Sequence, residues 1–232
     1  DEKSPIVAEP LAHHPGTHTF WQSQASGVPL IELLDRRGNG VLPDRVACAL
    51  SLLHAAPLSL AGPQIRDRAQ GLIEVRRRQK KISRTVPELE LRVARLADSL
   101  EIASRHLPEP PTGLIHGDCH PEQFWVDHEQ VVLFDFDEFA PGDPMEDLAA
   151  FVTKVSLLSG GPAFAAALLA AYERHAPTRF DGRRLRWHLA VQQLLQASRA
   201  FVFQIPEWRS RLESRLSRSE ALAAQLLSEC RS

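Results

Sequence analysis

Between His116 and Asp147 the chain carries ten Asp or Glu and no Lys or Arg, whereas the other 200 residues hold 27 basic side chains against 19 acidic ones. The acidity is local and marks a site. Like charges a few ångströms apart repel by about 1 kcal/mol even at water-like screening, and by more when partly buried. Such a run needs cations to offset it, and a divalent metal is the expected one. Four of these acids fall in two short segments, His116-Gly117-Asp118-Cys119-His120-Pro121-Glu122-Gln123 and Leu133-Phe134-Asp135-Phe136-Asp137. Phe124 to Val126 and Val131 to Phe134 read as strands joined by a turn at Asp127 to Gln130. The hairpin brings Gln123 and Asp135 to one end, where both can direct oxygen at one Mg²⁺. Asp118 then sits nearby. Phosphoryl transfer to a hydroxyl needs these parts: a carboxylate that orients the acceptor and takes its proton, and oxygen ligands for a metal on nucleotide phosphates.

The elements that must hold this hairpin are mostly helical. Residues 4 to 27 read as a strand pair with a turn at His14-Pro15-Gly16 and an end at Gly27. A helical pattern covers Leu30 to Arg37, stops at Gly38-Asn39-Gly40 and resumes after Pro43 and Asp44 with Val46, Leu50 and Leu53. Ile73 to Arg84 is rich in Arg and Lys and reads as a solvated helix face. Thr85 and Pro87 start an amphipathic helix with Leu89, Val93, Leu96 and Leu100 on one stripe, broken by Pro108-Glu109-Pro110-Pro111. Leu114-Ile115 enters a loop. From Asp147 to Cys230 the chain reads as helix, with breaks at Gly160-Gly161-Pro162, near Pro177 to Gly182, and at Pro206.

The two acidic segments, followed by Gly142-Asp143-Pro144-Met145-Glu146-Asp147-Leu148-Ala149, resemble the catalytic loop, metal-binding segment and following helix start of the aminoglycoside phosphotransferase and choline kinase-like family. These are small-molecule relatives of the protein kinases. Gly27-Val28-Pro29-Leu30 and Ala49-Leu50-Ser51-Leu52-Leu53-His54 resemble its interlobe linker and the first helix of its large lobe. The resemblance implies an α+β, protein kinase-like fold: a predominantly helical C-lobe over residues 28–232 with a small catalytic β-hairpin, and remnant N-lobe strands plus the interlobe linker over residues 1–27. It implies Asp118 as catalytic base, Asp135 and Gln123 as metal ligands, ATP and Mg²⁺ as cofactors, and backbone groups around Ser23 and Ala25 as the adenine contact. Asp137 stands where protein kinases have glycine. Gln123 departs from the usual family Asn and reaches one methylene further.

Family members begin with a small lobe carrying a phosphate-covering loop and a Lys that grips the nucleotide phosphates. Here no Gly-rich loop precedes residue 27, and Lys3 is the sole Lys in that stretch. A truncated or cleaved product is therefore expected, given also the non-Met start. A non-catalytic pseudokinase-like module is the alternative.

A metal-dependent hydrolase built on His116, Asp118 and His120 is a further rival. It is the less favoured alternative, which stoichiometric zinc would support: no second cluster of metal-type ligands exists elsewhere in the sequence, and both His are expected to hold the loop through hydrogen bonds. Asp143 and Asp147 are expected to serve as a helix cap and a loop anchor. Cys119, among carboxylates, is expected to be inert, and the four Trp are expected to fill the core. Trp187, Gln192, Gln193 and Gln196 could line an acceptor pocket, although a solvated helix face is the preferred reading.

With a net charge of -2 and 44% hydrophobic residues, the composition gives no support for nucleic-acid or membrane adhesion. Three widely spaced cysteines suggest no disulfide framework, and the start lacks a secretion signal, so a cytoplasmic location is expected. The segment from Arg179 to Ser232 carries ten Arg and five acids. That surplus disfavours a polycationic acceptor and points to a neutral or anionic small-molecule hydroxyl.

Overall fold

The computed structural model describes residues 7–24, 26–34, 40–128 and 130–229. An antiparallel hairpin, β1 (Pro10–His14) and β2 (Thr19–Gln22), forms a separate two-stranded sheet. A three-stranded sheet follows, in the order β3 (Val28–Pro29), β5 (Phe124–Asp127), β6 (Gln130–Leu133). A last pair joins β4 (Gly113–Ile115) to β7 (Ala140–Gly142). The rest is helix: α1 (Leu42–Ala55), α2 (Arg68–Thr85), α3 (Glu90–Ser104), α4 (Pro144–Val155), α5 (Gly161–His175), α6 (Gly182–Val202) and α7 (Trp208–Glu229). Among the described residues, no helix is long and apolar enough to cross a membrane.

Two apolar cores support the small sheets. One joins α1, α4 and α5 to the β5–β6 hairpin through Leu50, Leu53, Phe124, Leu133, Leu148 and Phe151. The other joins α2, α3, α6 and α7 through Val75, Ile82, Leu96, Leu100, Leu194 and Leu216. The hairpin is amphipathic at period two: Phe124 and Val126 are buried, as are Val131 and Leu133, and the alternate side chains are more open. Its buried face rests on the first core, which fixes its register against the helices.

Several sequence expectations need correction. The helix expected over Leu30 to Arg37 is a single 3₁₀ turn at Leu30–Glu32, which no side chain caps; Asp35, Arg36 and Arg37 lie outside the described residues. The basic stretch Ile73 to Arg84 is not wholly solvated. It belongs to α2, whose Val75 and Ile82, two turns apart, are fully buried while Arg76 pairs outward with Asp98 and Glu101. Leu114 and Ile115 are buried strand rather than loop, because β7 pairs with them. Trp21 is 48% exposed on the outer hairpin, so it does not fill the core.

Candidate active site

The segment after β4 is held in place from behind. At Gly117 φ is +83°, and a Cβ there would lie 2.2 Å from the Glu138 carbonyl oxygen, so the turn and the close approach both demand glycine. Asp147, in the first turn of α4, accepts the backbone N–H of His116 at 2.7 Å and that of Gly117 at 2.9 Å. His54 of α1 donates from Nε2 to Asp147 at 3.1 Å, and its Nδ1 lies 2.6 Å from the Tyr172 hydroxyl of α5. Burial pulls the Asp147 carboxyl up, but these hydrogen bonds hold it below the usual carboxylate range. His116 in turn donates from Nε2 to the Phe134 carbonyl at 2.6 Å, and its ring lies 4.9 Å from that of Phe136. The loop is thus tied to the return arm of the hairpin.

Four polar side chains stand in a line along this framework. The strand ladder continues one step beyond β5 and β6, with Phe134 N–H donating to the Gln123 carbonyl at 3.0 Å. Gln123 therefore faces Asp135, and its side-chain amide donates to the Asp135 carboxylate at 2.8 Å. Asp135 holds φ at +61°, a left-handed turn that Asp tolerates better than most residues. The Gln123 amide also lies 3.4 Å from His120 Nε2, and that nitrogen is 3.5 Å from Asp118 Oδ2. The second Asp118 oxygen, Oδ1, is 3.7 Å from Lys154 Nζ. His120, then Lys154, hold the Asp118 carboxyl well below its ordinary range against the opposing effect of burial. Asp118 nonetheless keeps 46% of its side chain exposed, so an ionised carboxylate is open to a ligand.

Two donor types stand ready for a cation at the Asp135 end. The separation of 2.8 Å between the Gln123 amide and Asp135 Oδ2 is close to the roughly 3 Å between adjacent ligands of an octahedral Mg²⁺ at about 2.1 Å. A half-turn of the amide presents its oxygen in place of its nitrogen. The donor set fits Mg²⁺, which takes one or two protein oxygens and completes its shell with phosphates and water. Among the described residues, no group of three or more His, Cys, Asp and Glu could hold a metal, which does not favour the hydrolase alternative.

The remaining expected residues lie as follows. Asp143 accepts the Met145 N–H at 3.0 Å at the head of α4, and Arg184 and His188 of α6 bond its carboxylate, His188 at 3.2 Å. The N–H of Ser23 donates to the Glu9 carbonyl at 2.8 Å and its hydroxyl accepts from Glu9 N–H at 2.9 Å, so both groups are engaged within the outer hairpin region. Ala25 lies outside the described residues. Cys119 is buried, and burial pushes its thiol up. Trp187 is a core residue whose Nε1 donates to the Leu100 carbonyl at 2.9 Å, and Gln193 is buried against Arg215 of α7 rather than solvated.

The sequence reading missed Lys154, Arg199, His54, Arg184 and His188. A signal existed for Lys154: it is the only Lys or Arg between Arg105 and Arg174, and it follows the largely apolar run Leu148 to Val152 of α4. Three Arg of the C-terminal surplus are paired elsewhere, Arg186 and Arg183 with Glu229 and Arg209 with Glu88.

Comparisons with known proteins bear on the fold and the family. Amicoumacin kinase of Bacillus subtilis (strain 168) is 34% identical over 79 residues, a match that spans 33% of this chain and 24% of that protein. A choline/ethanolamine kinase family protein from Mesorhizobium loti superposes with a TM-score of 0.68 at 19% identity, covering 94% of this chain and 74% of the other. A thermostable aminoglycoside phosphotransferase APH(4)-Ia, in a ternary complex with AMP-PNP and hygromycin B, gives 0.69 at 20% identity, with 97% and 78% covered. A choline kinase from Cryptosporidium parvum gives 0.65 at 10% identity, with 97% and 75% covered. The fold is the protein kinase-like one of these structures. A sequence profile described as APH, phosphotransferase enzyme family, matches residues 5–188, most of the length, and the chain belongs to that family.

Proposed function

We propose that this chain carries the catalytic, acceptor-binding lobe of a small-molecule kinase that moves the γ-phosphoryl group of MgATP to an acceptor hydroxyl. The observation that carries the reading is the half-exposed, ionised Asp118 placed in line with the Gln123–Asp135 pair. Residues 28–232 act as the large lobe, and residues 1–27 as the end of the small lobe and the linker. The nucleotide complexes of the APH(4)-Ia structures support ATP as donor.

In the reaction the acceptor oxygen bonds to the γ-phosphorus as the bond from phosphorus to the bridging oxygen breaks, leaving ADP. Asp118 accepts a hydrogen bond from the acceptor hydroxyl and receives its proton as the new bond forms. Held ionised, it orients the hydroxyl through an accepted hydrogen bond, and its lowered proton affinity makes it a late proton acceptor. Gln123 and Asp135 would hold Mg²⁺, which offsets charge on the phosphates when bound. His120, between Gln123 and Asp118, fixes the distance between the donor end and the acceptor end.

Asp118→Asn tests the reading in the intact gene product, assayed for ATP consumption with a panel of hydroxylated metabolites. Loss of about 10²- to 10⁴-fold in turnover is expected, with nucleotide affinity nearly unchanged. Undiminished turnover would remove Asp118 from the mechanism.

A further inference from the structure

Beyond Asp118 the line of polar groups ends in two cations. Lys154, near the C-terminal end of α4, lies 3.7 Å from Asp118 Oδ1, whereas His120 approaches the other oxygen, Oδ2, so the two bases meet different oxygens of one carboxylate. Its side chain is 24% exposed. Arg199, in the last turn of α6, is close enough that its charge acts on both Asp118 and Lys154. Burial pulls Lys154 down from the usual lysine range, the Asp118 carboxylate opposes this, Arg199 adds to it, and Glu122 again opposes it. Arg199 itself is only partly exposed, and its guanidinium has no hydrogen bond or ion pair among the described residues. Lys154 is 3.7 Å from its carboxylate, beyond hydrogen-bond distance.

We propose that Lys154 and Arg199 form an acceptor-recognition pair, and that the acceptor carries an anionic group, a carboxylate or a phosphate, near the hydroxyl it offers to Asp118. The inference rests on the phosphotransfer reading. The donor phosphates belong at the Asp135 end, so a ligand that reaches the two cations enters from the acceptor side. A partly buried guanidinium without a partner, beside an ammonium that only one carboxylate contacts, attracts a further negative charge and repels a positive one. An amine-bearing acceptor would place like charge against this pair. The Asp118 and Glu122 carboxylates keep the pair from repelling itself apart when no ligand is bound.

The test compares matched acceptors in the intact gene product: glucose, gluconate and glucosamine, and glycerol, glycerate and serinol. ATP consumption is measured for the unaltered protein, Lys154→Gln and Arg199→Gln. In parallel, acetylation of Lys154 by acetic anhydride is followed by peptide mass spectrometry with gluconate or glucosamine present. The anionic acceptors should show kcat/KM about tenfold or more above the neutral ones, and each variant should lower that ratio by about tenfold. Gluconate should protect Lys154, and glucosamine should not. Turnover with neutral or cationic preference, or an equal fall for all acceptors in Lys154→Gln, overturns the proposal and leaves phosphotransfer standing. Protection by gluconate with no ATP consumed by any acceptor upholds the anion site and removes the phosphotransfer reading. Neither turnover nor protection overturns both.

Discussion

The carboxylate of Asp147 holds the backbone N–H of His116 at 2.7 Å across 31 positions of sequence. Its other oxygen takes the next N–H, of Gly117, so one buried side chain fixes two consecutive peptide groups immediately before Asp118. The loop inherits its position from α4, and α4 from the first core.

Replacing Asp147 by Asn puts an NH₂ group against one of the two backbone N–H donors, of His116 or Gly117, and removes the negative charge that both N–H groups and His54 meet. Stability should fall by about 3 to 5 kcal/mol, as when one partner of a buried charged pair is removed. Urea denaturation at neutral pH checks this, and turnover should fall with it because Asp118 loses its support.

The same group gives stability a pH dependence of known sign. Asp147 and Asp143 are both held below the ordinary carboxylate range, burial in each case being outweighed by hydrogen bonds and nearby cations. Their ionised forms are thus bound more tightly in the folded state than in the unfolded one, where the pKa is about 3.9. The stabilisation is complete above that value and is lost as pH falls through the folded-state values. Denaturant midpoints should drop steeply below about pH 4. The Asp147→Asn variant should show a shallower drop over the same range.

Gly117→Ala should be poorly tolerated. The new Cβ would meet the Glu138 carbonyl oxygen in a left-handed conformation, and a loss of about 2 kcal/mol or more is expected. Thermal unfolding reads the loss, and an unchanged midpoint would mean that the loop can shift away from Glu138.

Asp135→Ala and Gln123→Ala should weaken nucleotide binding in Mg²⁺ while changing it little in EDTA. Titration of a fluorescent ATP analogue under both conditions separates a metal role from a steric one. Gln123→Ala should also loosen Asp135, since the amide donates to it directly.

The sequence made the local parts of the site readable. Gln123 and Asp135 flank a hairpin whose alternation is plain, so their meeting follows from strand register alone. Helices α4 to α7 were legible because Gly160, Pro177 and Pro206 punctuate them. β7 was not: Ala140-Pro141-Gly142 has no strand pattern, and its pairing with β4 is imposed by tertiary packing. Nor were the partners that arrive from distant helices. His54 reaches Asp147 from α1, Tyr172 of α5 in turn meets His54, and nothing in their own neighbourhoods announces these meetings. Lys154 carried a signal in its isolation, but its nearness to Asp118 depends on how α4 crosses behind the loop.

Helices α4 and α6 meet twice, and the two meetings are in step. Asp143 at the head of α4 meets His188, and eleven positions onward along each helix Lys154 comes within electrostatic range of Arg199. Eleven residues make close to three turns of about 3.6, so each helix presents both of its members on one side, roughly 16 Å apart. The two helices pack alongside each other and are pinned at one end by the Asp143–His188 hydrogen bond. A residue inserted into α6 between positions 188 and 199 would swing the guanidinium by about 100° without undoing the pin. A point substitution at 199 would change the charge at the far end and nothing at the pinned one, so under the proposed role of Arg199 substrate preference can drift while the catalytic loop stays anchored.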